Sequence, residues 1–178
     1  MNIRVKDKIF KPYMSEKEIA DIVADVAKRI SDDLRDKDPL FLGVLNGSFV
    51  FASDLMRALN FDAQISFVKM SSYCGTGTTG TVKQLIGINE DLAGRTVVIV
   101  EDVIDTGISM EKMLELLKQK NAGDVRICTF FFKPGKFQKS YKIDYIGKSI
   151  PDDFIVGYGL DYDGYGRNLK QIYVIDNQ

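Results

Sequence analysis

The stretch VVIVEDVIDTGISM, residues 97–110, constrains the fold more than any other part of the 178-residue chain. Val97 to Val100 is a continuous apolar run of strand length, the pattern of a buried strand. Asp105-Thr106-Gly107-Ile108-Ser109 then curls as a turn, and Met110, Met113, Leu114 and Leu117 recur with helical spacing until Asn121 to Gly123 end the helix. A further apolar run, Val125 to Phe132, supplies the next strand. Strands separated by helices imply a parallel sheet with right-handed crossovers and helix-covered faces, and ligands of such sheets sit beyond the carboxyl ends of the strands. Three acids, Glu101, Asp102 and Asp105, are delivered to that edge.

The rest of the chain agrees with an α/β architecture, a mostly parallel central sheet flanked by helices. Ser15-Glu16-Lys17-Glu18 has the form of a capping box, and Ile19, Ile22, Val23, Val26, Ala27 and Ile30 follow at helical spacing. Pro39 to Leu45 reads as a strand, Asn46-Gly47-Ser48 as a turn and Phe49 to Leu59 as a helix. Ala63 to Met70 alternates as a strand, Ser71 to Thr81 is a polar loop, Val82 to Ile88 is its returning partner, and Thr96 to Glu101 is the next strand. After Pro134 the pattern is irregular, with short candidate strands near Tyr145, Ile155 and Ile172 to Ile175. The length suits one domain over residues 1–178, with a small lid or hood formed by the N-terminal segment and roughly residues 134–170. There is no internal repeat.

Charge and special residues narrow the chemistry. A net charge of -1 offers no basic excess for indiscriminate binding to a phosphate backbone, so generic nucleic-acid binding is disfavoured. MNIRVKDKIF lacks the apolar core of a signal peptide and no apolar run has the length of a membrane span, which points to a cytoplasmic protein without a membrane partner. Cys74 and Cys128 lie in unrelated contexts and do not suggest a disulfide framework. The chain contains no histidine, which excludes a Ser-His-Asp triad, a Cys-His pair and histidine-ligated zinc. General-base work and metal binding fall to carboxylates, a donor set suited to Mg2+.

The acidic turn has the parts of an anion cradle. Unpaired N–H groups of the first helical turn, the positive end of the helix dipole and the hydroxyls of Thr106 and Ser109 can converge on one phosphate, and Gly107 permits its close approach. Neither G-x-x-x-x-G-K-[ST] nor G-x-G-x-x-G is present, so nucleoside triphosphate and dinucleotide readings lack their motifs. Adjacent acids repel a bare polyanion, but they accept hydrogen bonds from a ribose diol or reach a Mg2+ that neutralises a pyrophosphate.

VVIVEDVIDTGISM resembles the phosphoribosyl pyrophosphate (PRPP) motif of type I phosphoribosyltransferases. With LGVLNGSFVFASDL (42–55), SSYCGTGTTG (71–80), Lys133 of FFFKPGKF and PDDFIVGYGLDYDGYGRNL (151–169), nearly the whole chain resembles the hypoxanthine-guanine, or 6-oxopurine, branch. That resemblance implies a Mg2+-dependent purine-salvage enzyme that moves a phosphoribosyl group from PRPP to hypoxanthine or guanine, giving IMP or GMP and pyrophosphate. It implies Glu101 and Asp102 at the ribose hydroxyls, Asp105 as general base at purine N7, and Asp105, Thr106, Gly107, Ile108 and Ser109 around the 5′-phosphate. It also implies Lys133 reading the oxygen at C6, Phe154 stacking on the purine, the Ile155 backbone at its edge, and Asp161 beside it as a metal ligand together with Glu101 and Asp102. Asn46, Gly47 and Arg167 would meet pyrophosphate, with a cis peptide between Leu45 and Asn46. Ser72 and Tyr73 would form the tip of a mobile loop hinged by the glycines at 75, 77 and 80, and the assembly would be a homodimer or homotetramer.

One departure matters, because many relatives carry lysine where this chain has Asn46, so a side-chain charge is missing while the backbone donor remains. Singly, each residue has a plainer reading: Lys133 as a solvated strand-end lysine, Phe154 as core, Asp161 and Arg167 as a surface ion pair. Their joint order carries the inference. A reading from another class is a PRPP-fold regulator that binds nucleotide and RNA without turning over purines.

Overall fold

The computed structural model describes residues 1–71 and 83–176. Its elements run β1 (Ile3–Val5), β2 (Lys8–Met14), α1 (Glu16–Leu34), β3 (Leu40–Val44), α2 (Phe49–Ala58), β4 (Gln64–Ser71), β5 (Lys83–Ile86), β6 (Val97–Ile104), α3 (Ile108–Gln119), β7 (Val125–Phe132), β8 (Tyr145–Ser149), β9 (Ile155–Val156) and β10 (Ile172–Ile175). A six-stranded sheet has the order β5-β4-β3-β6-β7-β8. All its pairings are parallel except that of β5, which returns antiparallel along β4. A smaller antiparallel sheet has the order β1-β2-β10-β9.

Period-two alternation assigns the central strands' side chains to two cores. Phe41, Val98, Val100, Cys128 and Phe130 face α1 and α2, where they pack on Ile30, Leu34, Phe51 and Leu55. Leu40, Leu42, Val97, Ile99 and Ile127 face the opposite side and meet Met110, Met113 and Leu117 of α3. Continuous apolar runs are therefore required in β3 and β6, because both faces are covered. Each large side chain so buried contributes about 1.5–3 kcal/mol relative to exposure. The start of α1 follows its sequence: Ser15 Oγ accepts from the Glu18 N–H at 3.3 Å, and the Glu18 carboxylate accepts from the Ser15 N–H at 2.9 Å. No described helix is long and apolar enough to cross a membrane. Cys128 is buried, which pushes its thiol up, and Cys74 lies outside the described residues.

Three features differ from the sequence reading. β6 does not stop at Glu101; it continues to Ile104, because β7 is long enough to pair Glu101 with Thr129, Val103 with Phe131 and Ile104 with Phe132. The strand at Tyr145 joins the large sheet, its Tyr145 pairing with Cys128. There the Tyr145 ring enters the main core and its hydroxyl donates to Asp33 at 3.0 Å, while Asp144 accepts from the Ile127 N–H at 3.0 Å. The N-terminal hairpin β1-β2 has no clear apolar period, since only Val5, Phe10 and Met14 are buried in it, and it acquires strand structure by pairing with β10.

Candidate active site

The site arises where neighbouring strands end at different heights. β3 pairs with β6 only as far as Gly43 with Val100, then leaves the sheet through Leu45 and Asn46, whose peptide bond is cis. Beyond Val100, β6 keeps β7 on one side and has open space on the other. Glu101 and Asp102 are half-buried there and line a cavity with Gly47, Ser109 and Lys112. A Cβ on Gly47 would collide with the Asp102 carboxylate, so the turn approaches β6 only as glycine. Burial, followed by the charge of Asp102, pushes the Glu101 carboxyl well above its usual range; the Asp102 N–H donates to it at 3.2 Å.

Next along the chain, Gly107 has φ 83° and precedes α3 with no side-chain cap on the helix. The Ile108 N–H reaches only Thr106 Oγ1, at a long 3.4 Å. Donors of the first helical turn therefore face a concavity lined by residues from Asp105 to Ser109. Two aromatics that sequence reasoning missed buttress it: Tyr141 donates to the Gly107 carbonyl at 2.8 Å, and Phe137 stands edge-on to Tyr141 with centroids 5.2 Å apart. A Cβ on Gly107 would come within 2.5 Å of the Tyr141 hydroxyl and 2.8 Å of Phe137. Burial, then Glu111, pushes the Tyr141 hydroxyl up to about 12. No periodic signal in FQKSYK marks either residue.

Asp105 connects this cradle to Lys133 at the end of β7. Its Oδ2 lies 4.0 Å from Lys133 Nζ and 3.6 Å from Lys136 Nζ. Its Oδ1 is buried and has no hydrogen-bond partner among the described residues. Lys133, whose side chain is only 11% exposed, donates to the Asp153 carbonyl at 2.8 Å and to Asp152 Oδ1 at 3.3 Å. Lys136 reaches the same Asp152 oxygen at 2.8 Å. Lys136 and Asp152 were not singled out from sequence; nothing in KPGK or PDD separates them from ordinary surface charges. Phe154 follows directly, half exposed, with its ring edge-on to Tyr162 at 5.8 Å and 6.2 Å from Phe10, while Ile155 is buried in β9 opposite Val174.

Asp161 and Arg167 meet at 2.6 Å, both half-buried. The other Asp161 oxygen accepts from the Gly164 N–H at 2.6 Å, and Arg167 donates to the Gly159 carbonyl at 2.7 Å. Gly159, at φ 98°, packs so closely on the Gly47 carbonyl that a Cβ would strike it. One chain of contacts thus links the Asp161–Arg167 pair to the turn at Asn46-Gly47 and on to Asp102. Among the described residues no three acid or thiol side chains converge on one point, so Glu101, Asp102 and Asp161 do not form a closed metal cage. Ser72 and Tyr73 lie outside the described residues.

Comparison with known proteins defines the class. The model of the phosphoribosyl transferase domain family matches residues 13–163, and the chain belongs to that family. It is 33% identical to the hypoxanthine-guanine phosphoribosyltransferase of Aquifex aeolicus over 175 residues, covering 97% of this chain and 98% of the relative. It is 38% identical to the hypoxanthine phosphoribosyltransferase of Escherichia coli over 160 residues, 88% of this chain and 90% of the relative. A crystal structure of a hypoxanthine-guanine phosphoribosyltransferase from Bacillus anthracis superimposes with a TM-score of 0.87 at 35% identity, covering 93% of this chain and 98% of that one.

Proposed function

We propose that this chain transfers the 5-phosphoribosyl group of PRPP to hypoxanthine or guanine, releasing pyrophosphate and IMP or GMP. The observation that carries the reading is Asp105: one oxygen faces two ammonium groups, the other is buried without a partner among the described residues, and the anion cradle begins at the next residue. A buried, unpartnered carboxylate oxygen lacks a donor, and N7–H of a 6-oxopurine is one of the right chemistry.

In this reading the 5′-phosphate takes the free N–H groups and hydroxyls of Thr106 to Ser109, with Asp105 at the edge of that site. Glu101 and Asp102 accept hydrogen bonds from the ribose hydroxyls, and the Gly47 turn, Asn46 and Arg167 face the pyrophosphate. Lys133 donates to the oxygen at C6, which disfavours the amino group of adenine. Phe154 supports the ring and the Ile155 backbone meets its edge. As purine N9 forms its bond to C1 of the ribose and the bond from C1 to pyrophosphate breaks, Asp105 Oδ1 takes the N7 proton. Two adjacent carboxylates beside a cavity fit a Mg2+ shared with substrate oxygens, since this ion is commonly bound through one or two carboxylates plus phosphates. Glu101, Asp102 and Asp161 would hold it, and when bound it would neutralise pyrophosphate charge. The small sheet, with the segment that joins β9 to β10, serves as the hood, whereas β8, although within residues 134–170, belongs to the large sheet; the enzyme works as a homodimer or homotetramer. The named relatives are transferases and lend no support to a regulatory RNA-binding role.

Product formation with hypoxanthine, guanine, xanthine, adenine and orotate, each with PRPP and Mg2+, tests the proposal. IMP and GMP should form while adenine and orotate stay unconverted; no nucleotide from any base would overturn it.

A further inference from the structure

The three charges around Asp105, those of Lys133, Lys136 and Asp152, are arranged unequally, and the reading above does not use that asymmetry. Both ammonium groups approach a single oxygen of Asp152, Lys136 at 2.8 Å and Lys133 at 3.3 Å, and both stand farther from Asp105, at 3.6 and 4.0 Å. The two lysines follow β7, Asp105 follows β6, and Asp152 precedes β9, so the cluster forms only where the three segments meet. Lys133 has a second anchor in the Asp153 carbonyl at 2.8 Å, whereas Lys136 has only the two carboxylates as charged partners among the described residues. The hydrogen bond from Lys136 also holds the Asp152 carboxyl below its usual range.

We propose that Asp152 is a positioning residue: it draws the ammonium groups of Lys133 and Lys136 to its own carboxylate and so keeps them off the Asp105 carboxylate, which stays free to take the purine proton. This rests on the transferase reading given above. Without the Asp152 charge, Asp105 becomes the nearest anion for both lysines, and Lys136, lacking another anchor, moves onto it. A carboxylate clasped by two ammonium groups is a weaker base, and a displaced Lys133 no longer presents its remaining donor to the base. As a stability element the cluster is of small account, because Asp152 and Lys136 are 50% and 42% exposed and exposed pairs contribute little. The effect belongs to purine binding and turnover.

Steady-state IMP formation, with hypoxanthine and PRPP varied separately, distinguishes the possibilities for Asp152→Asn, Asp152→Glu and the double variant Asp152→Asn/Lys136→Gln. For Asp152→Asn we expect the KM for hypoxanthine to rise about fivefold and kcat to fall about threefold, with the KM for PRPP within about twofold of wild type. Removing Lys136 in that background should restore most of kcat, and Asp152→Glu should behave much like wild type. Equal rises in both KM values, unchanged kinetics, or a double variant no better than Asp152→Asn would overturn the inference. A wild-type enzyme that makes no IMP would overturn the transferase reading and this inference together, and that outcome is seen before any substitution is made.

Discussion

The cradle and the purine corner adjoin at Asp105 but are built from different materials. Residues 106–109 offer an anion backbone N–H groups, hydroxyls and a helix end, on a turn fixed by a glycine at φ 83° and by the packing of Phe137 and Tyr141. The purine corner is made of side chains from distant segments, Lys133, Lys136 and Asp152 around Asp105, several of them half-exposed. Backbone donors cannot be removed by substitution, only displaced, and they offer no choice among phosphates. Charged side chains can be exchanged singly, and in the proposed reading they set which base is accepted. On the proposed roles, the binding of PRPP and the selection of the base should be separable by mutation.

The largest effect is expected at Asp105, where the two regions meet: Asp105→Ala should lower kcat for IMP formation by about 10²–10⁴-fold, the range for a lost general base. Retained turnover would remove the general-base assignment. Gly107→Ala should break the cradle alone. A non-glycine residue in the left-handed region costs about 1–2 kcal/mol, and the added methyl also meets Tyr141 and Phe137, so PRPP affinity should fall by more than about tenfold. If hypoxanthine affinity fell equally, the two regions would not be separable. Lys133→Ala is the converse probe: losing a charged hydrogen bond of about 1.5–3 kcal/mol should raise the KM for hypoxanthine by roughly 10–100-fold and spare PRPP. The smallest effect is expected for Tyr141→Phe, which removes one hydrogen bond to the Gly107 carbonyl and should cost about 0.5–1.5 kcal/mol in denaturant unfolding with modest loss of PRPP affinity.

The same contrast explains what could be read from the chain. The strand, turn and helix around the acids follow from a local period and one glycine, so the parallel sheet and the cradle were legible from residues 97–117. The capping box at Ser15 and the strand Val125–Phe132 were legible for the same reason. The length of β6 was not, because it depends on how far β7 runs beside it rather than on its own composition. Tyr145 was assigned to the irregular tail because the order of strands in a sheet is a property of tertiary packing, and its core contacts come from α1 and β7. Lys136 and Asp152 carry no local pattern; only the meeting of three segments makes them part of a site. Lys133, Phe154 and Arg167 were singled out through resemblance to a family, not through physics.

The measurement that bears most directly on this account is a crystal structure of the protein with IMP. The account predicts the 5′-phosphate within hydrogen-bond distance of the N–H groups of residues 106–109, and purine N7 beside the buried oxygen of Asp105. A nucleotide whose phosphate lies away from that turn, with the cradle donors facing solvent, would contradict it.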